Sequence, residues 1–173
     1  RPYPPGQHGQ RRSKFTEYGI RLREKQKVRR MYGLAEKQFR GYFHKADASK
    51  GVTGEEFLGL LERRLDSFVY RAGFASTRSD ARQLVLHRHV HVNGKGVNIP
   101  SYILKPGDVV SVKEKSRTKG RVVAALELMD RRGNPEWLEV DKTNFTATVK
   151  TLPNREEITL PIQEQLIVEF YSR

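Results

Sequence analysis

Apolar positions follow helical spacing through most of the first half of the chain and strand spacing through much of the second. From Thr16 the pattern predicts a helix ending near Gly33, with Ile20, Val28 and Met31 as a thin apolar line. Phe39, Tyr42, Phe43 and Ala46 recur at i, i+3, i+4 and i+7 and predict a second helix with a clear buried face. Thr53 with Glu56 reads as a capping box that opens a long third helix. Its stripe runs through Phe57, Leu58, Leu61, Leu65, Phe68 and Val69, and Gly73 closes it. Thr77 with Asp80 caps a short fourth helix that turns Ala81, Leu84 and Val85 inward.

The period then becomes two. Val90 and Val92 alternate with His89 and His91 and mark a strand, Asn93-Gly94 predicts a type I′ turn, and Val97 and Ile99 return on the partner strand. A turn at residues 105–108 leads to a third strand over 109–112. A further helix is expected over 122–131, then strands over 137–140 and 145–151. Pro161 suits the first turn of a last helix, with Ile162, Leu166, Ile167 and Phe170 inward. Three short helices offer little core by themselves, so this last helix is expected to pack on the N-terminal ones. The predicted class is α+β: an N-terminal helical domain, and a second domain with a small, mostly antiparallel sheet and packed helices. The expected division is 1–62, completed by 161–173, and 63–160, which contains a helix-and-hairpin module at 63–125.

Charge changes the picture from fold to partner. The chain of 173 residues has 33 Lys+Arg against 20 Asp+Glu, a net +13 and a pI of about 10.2. Residues 1–62 carry 14 basic against 7 acidic side chains, residues 63–125 carry 13 against 4, and residues 126–173 carry 6 against 9. The first two segments should therefore face a polyanion. The acidic last segment suits a buttress or a face toward another basic protein. No apolar run approaches transmembrane length. The chain has no cysteine, which fits a cytoplasmic protein and leaves no thiolate zinc site in these residues. It opens on Arg1 rather than methionine, so its N-terminus is expected to be trimmed, processed or partly disordered.

Enzyme readings find little. No nucleophile and base stand at motif spacing, and no phosphate-binding glycine loop is present. His87, His89 and His91 invite a metal reading, but no Asp, Glu or Cys lies close by to complete a tetrahedron. Arg64-Leu65-Asp66 matches the core of the catalytic motif of pseudouridine synthases. It is read here as mid-helix and structural, because no catalytic domain remains to hold a uridine. No cofactor is expected. A membrane binder would show a basic amphipathic helix with a broad apolar face and no compact hairpin.

ARQLV at 81–85, HVHVNG at 89–94, PSY at 100–102 and PGDVV at 106–110 together resemble the small RNA-binding module named after the fourth small-subunit ribosomal protein. Some tRNA synthetases and pseudouridine synthases share that module. Where the family often has glycine between the histidines, this chain has Arg88, which is expected to take a left-handed helix end with mild strain. PPGQHG at 4–9, YGIRLREKQKVRRMYG at 18–33, AALEL at 124–128, WLEVD at 137–141 and LIVEFYSR at 166–173 extend the resemblance to the whole bacterial family of that ribosomal protein.

The resemblance implies a primary binder of small-subunit ribosomal RNA that grips a multi-helix junction and nucleates assembly. It also implies contact with the fifth small-subunit ribosomal protein, at an interface linked to decoding accuracy. The family segment after PPGQHG lies near the path by which messenger RNA enters the subunit, so Arg11, Arg12 and Lys14 are expected to face messenger RNA. The candidate RNA-binding residues are these three with Arg21, Arg23, Lys25, Lys27, Arg29, Arg30, Arg78, Arg82, Gln83, His87, His89, Asn93, Lys95, Tyr102, Lys113 and Lys115.

Overall fold

The structure is a computed structural model that describes residues 3, 5–10, 16–117 and 120–172; at Arg121, Asp130, Arg131 and Arg132 it describes the backbone alone. Thr16 caps α1 (Glu17–Met31) by accepting a hydrogen bond from Gly19 N at 3.1 Å. α2 (Glu36–Asp47) buries Phe39, Tyr42, Phe43 and Ala46, as their spacing predicts. The apolar line of α1 is thinner than expected. Val28 is buried, but Ile20 is exposed and the other buried residue is Lys25.

The long third helix is two helices, α3 (Thr53–Glu62) and α4 (Leu65–Arg71). Val52, not Thr53, is the N-cap of α3, so the capping box does not form. Between the two helices the backbone turns extended at Arg64 and pairs with the segment before β3. Leu104 N donates to Arg63 O at 2.9 Å, and Leu65 N donates to Tyr102 O at 2.8 Å. These bonds satisfy groups that a continuous helix would have paired internally. Arg64-Leu65-Asp66 therefore straddles a helix start rather than lying mid-helix.

α5 (Arg78–Leu86) leads into β1 (Val90–Val92), β2 (Lys95–Gly96) and β3 (Val109–Val112). α6 (Glu114–Arg117) and α7 (Gly120–Arg132) follow, then β4 (Leu138–Asp141), β5 (Thr146–Val149) and α8 (Glu164–Tyr171). The five strands form one sheet in the order β2-β1-β3-β5-β4, every pair antiparallel. β2 is shorter than predicted: Val97 and Ile99 lie beyond it, and Ile99 is exposed. α8 begins at Glu164, so Pro161 precedes it by three residues instead of opening it.

Two apolar cores result. One joins α4, α5, the sheet and α7 through Phe68, Val85, Val90, Val110 and Met129, with Trp137 edge-on to Phe68 at 5.7 Å. The other joins α1, α2 and α3 to the C-terminal segment through Val28, Phe39, Phe57, Ile158, Ile162 and Ile167. α8 packs on α1 and α3, and its Tyr171 ring lies 4.7 Å from that of Phe43.

Candidate nucleic-acid interface

The helix-and-hairpin unit is fixed by local bonds. Thr77 accepts from Asp80 N at 3.1 Å at the start of α5. At its end Arg88 N donates to Val85 O and His89 N donates to Leu84 O, both at 3.0 Å. This is a Schellman ending, and Arg88 occupies its left-handed position with φ of 59°. Asn93 and Gly94 both have positive φ, at 49° and 77°, as a type I′ turn requires. The Asn93 side chain donates to Asp108 Oδ1 at 2.8 Å and accepts from Val109 N at 2.9 Å, which ties the hairpin tip to the next turn. Its amide is thus occupied within the protein.

The candidate cations divide into two groups. In the first, each side chain is engaged internally. Arg21 pairs with Glu169 at 2.6 Å and Glu17 at 3.3 Å, and the Glu169 hydrogen bond raises its pKa. Lys25 is buried, pairs with Glu36 at 2.8 Å and lies over the Phe170 ring. Lys27 donates to Pro161 O at 2.8 Å and pairs with Glu24. Arg29 bonds to Gln26 and Leu34 O. Arg82 reaches Asp66 at 3.4 Å while staying 43% exposed.

Arg78 is largely enclosed, with 16% of its side chain exposed. Its guanidinium lies 4.6 Å from the Tyr32 ring, 4.7 Å from the Tyr70 ring and 3.3 Å from Glu62. Glu62 has no exposed surface and also takes two 2.8 Å hydrogen bonds from Arg71 and one of 2.6 Å from Tyr32. Burial pushes the Glu62 carboxyl up, but the Arg71 hydrogen bonds and the charges of Arg71 and Arg78 outweigh it and hold it below the usual carboxylate range. Burial, then the Glu62 charge, push Tyr32 well above the usual phenol range. Because Tyr32 caps α1 and Arg78 opens α5, this cluster fastens the basic helix to the module.

In the second group, Arg23, Arg30, Lys95, Lys113 and Lys115 are exposed and have no side-chain partner among the described residues. Arg23 and Arg30 are seven apart on α1 and so share one face. Lys95 stands at the hairpin, and Lys113 and Lys115 follow β3. Arg88 has the same character but lay outside the predicted set. Its signal in the sequence was the missing glycine, which pointed to strain and not to charge.

Gln83, His87 and Tyr102 are exposed on the same unit. The His87 and His89 rings stack at 6.2 Å and 23°, and His89 Nδ1 lies 2.9 Å from Ser116 Oγ. Among the described residues no cluster of His, Asp or Glu is arranged to hold a metal. Nor is any of their helices long and apolar enough to cross a membrane. Asp66 is buried and takes a two-pronged grip from Arg64 at 3.0 and 2.6 Å, a structural ion pair. Arg11, Arg12 and Lys14 lie outside the described residues.

A capped helix followed by a pinned hairpin, with unpaired cations on its surface, defines a binder of structured RNA. Comparison with known families agrees: the ribosomal protein S4/S9 N-terminal domain matches residues 1–62 and the S4 domain matches residues 63–110. The small ribosomal subunit protein uS4 of Syntrophobacter fumaroxidans and that of Geotalea daltonii are each 64% identical over all 173 residues, which span 83% of each relative. Protein uS4A of Myxococcus xanthus is 62% identical over the same span. The chain belongs to the uS4 family, the structural, non-enzymatic proteins of the small ribosomal subunit.

Proposed function

We propose that this chain is a primary ribosomal RNA-binding protein that nucleates assembly of the small subunit by holding a junction of RNA helices. The observation that carries the reading is the division of its cations. Each of the two cores presents unpaired cations of its own, Arg23 and Arg30 on one and Lys95, Lys113 and Lys115 on the other. The buried Glu62 ion pairs and the Arg64–Tyr42 hydrogen bond join the cores. Such a body can fix two RNA helices at a set angle, as junction binding needs, and recognises them by shape and phosphate. A second line of support is the shared packing of Ile162 and Ile167 with α1–α3, which favours a first domain of 1–62 completed by the C-terminal segment, expected over 161–173, with Ile158 at the end of the second, 63–160, already entering the first core. The test is binding to small-subunit ribosomal RNA free of other proteins. A primary binder associates directly, whereas one that joins only after other proteins contradicts the reading.

Within the same proposal, Arg11, Arg12 and Lys14 face messenger RNA at its path into the ribosome. The chain also contacts the fifth small-subunit ribosomal protein at an interface that influences accuracy, and its acidic last segment suits a buttress or a face toward a basic protein. The stretch around Arg11, Arg12 and Lys14 is rich in Pro, Gly and Gln and offers no apolar face of its own, so its charges add little to folding, about 0–1 kcal/mol, and their use lies with a partner. A triple alanine variant at the three arm residues should assemble nearly normally and translate slowly through a stable messenger hairpin. Failed assembly with normal hairpin passage assigns the arm to ribosomal RNA instead.

A further inference from the structure

Arg88 holds a backbone conformation that disfavours any residue with a Cβ, at φ of 59°. The Schellman bonds to Leu84 O and Val85 O over-determine it, so the conformation persists without help from the side chain. That side chain is exposed and has no hydrogen bond, ion pair or ring contact among the described residues. Glycine would serve the helix ending better. A cation kept there without an internal partner points to something outside the molecule.

Two more unpaired cations belong to segments tied to the same corner. Lys113 N donates to His89 O at 2.9 Å, which sets the residue after β3 beside the residue after Arg88. Ser116 Oγ lies 2.9 Å from His89 Nδ1 and tethers α6, which carries Lys115. Glu114, exposed between the two lysines, is the nearest acidic residue in sequence. The excess charge of the corner is positive.

We infer that Arg88, Lys113 and Lys115 form a phosphate-binding subsite for the RNA backbone at the corner between α5 and β1, with the Arg88 guanidinium as its directional member. The Arg88 side chain is exposed at the end of the helix, and its guanidinium is a planar fork that matches phosphate oxygens. The inference rests on the proposed role as a ribosomal RNA binder and adds a contact that the hairpin and α1 do not supply.

The test compares wild type, Arg88→Gly and Arg88→Lys in the full chain. The probe is small-subunit ribosomal RNA transcribed from the genome that encodes the protein, titrated between about 0.1 and 0.4 M salt. Arg88→Gly should melt at or above the wild-type temperature, bind roughly tenfold more weakly, and show a log–log salt slope shallower by about 0.7–0.9. Arg88→Lys should keep the slope and lose part of the affinity. Unchanged affinity and slope in Arg88→Gly overturns the subsite. So does weaker binding that accompanies a lower melting temperature, since that makes Arg88 a packing residue. If wild type itself shows no salt-dependent affinity, the ribosomal RNA reading fails, and the subsite with it.

Discussion

The guanidinium of Arg64 meets the carboxylate of Asp66 at 2.6 Å inside the joint between the two cores. Tyr42, from α2, closes the other side by accepting from Arg64 at 2.8 Å. Neither charge is free to reach water, so removing Asp66 strands the Arg64 guanidinium. Asp66→Ala should destabilise the fold by about 3–5 kcal/mol, and Tyr42→Phe by about 1–2 kcal/mol. Urea unfolding of the two variants checks this. A cost below about 1 kcal/mol for Asp66→Ala would show that the pair is not buried in solution.

Gly73 ends α4 with φ of 75°, and a Cβ there would come within 2.7 Å of Met129 Cβ and Cγ and closer still to its sulfur. Gly73→Ala combines a strained backbone with overpacking between α4 and α7, and should cost about 2–4 kcal/mol. Adding Met129→Ala removes the clash with Cγ and the sulfur and leaves the contact with Cβ and the backbone strain. The double variant should therefore lose less than the two single losses combined, which thermal melts of all three proteins measure.

The Glu62 cluster predicts loss of stability at both ends of the pH range. The folded Glu62 carboxyl lies below its ordinary value, so its contribution is present above about pH 4.3 and is lost as pH falls through the lower folded value. Tyr32 is shifted the other way. Its contribution is present below about pH 10 and is lost as pH rises above that, because the unfolded phenol ionises first. Urea midpoints across pH check both limbs. Tyr32→Phe should flatten the alkaline limb and Glu62→Gln the acid one; a Tyr32→Phe profile that still falls as steeply above pH 10 assigns the alkaline loss elsewhere.

Local chemistry made much of the fold legible. The aromatic spacing of α2, the Thr77 cap, the Asn93-Gly94 turn and the left-handed Arg88 each depend on near neighbours in the chain, and each appears as expected. The division between α3 and α4 was hidden because the apolar stripe runs straight through it, while its cause is backbone pairing with residues about 40 positions away. Shorter separations, 16 positions for Arg78 and Glu62 and 11 for Lys25 and Glu36, hid which cations are engaged. Nothing around Arg78 or Lys25 in sequence shows that Glu62 and Glu36 will be placed against them. Charge clustering marked the basic segments as the candidate RNA face, and tertiary pairing decides which of their cations remain available.

On the proposed reading, unpaired cations grip RNA while paired ones hold the fold. The direct measurement is the salt dependence of binding to small-subunit ribosomal RNA, alongside melting temperature, for Arg23→Ala/Arg30→Ala and for Arg78→Ala. The claim predicts that the double variant melts like wild type and loses about 1.4–1.8 from the log–log slope, two phosphate contacts. It predicts that Arg78→Ala melts several degrees lower and, at temperatures where it is folded, keeps the wild-type slope. The reverse outcome, a full slope in the double variant and a reduced slope with normal melting in Arg78→Ala, would contradict it.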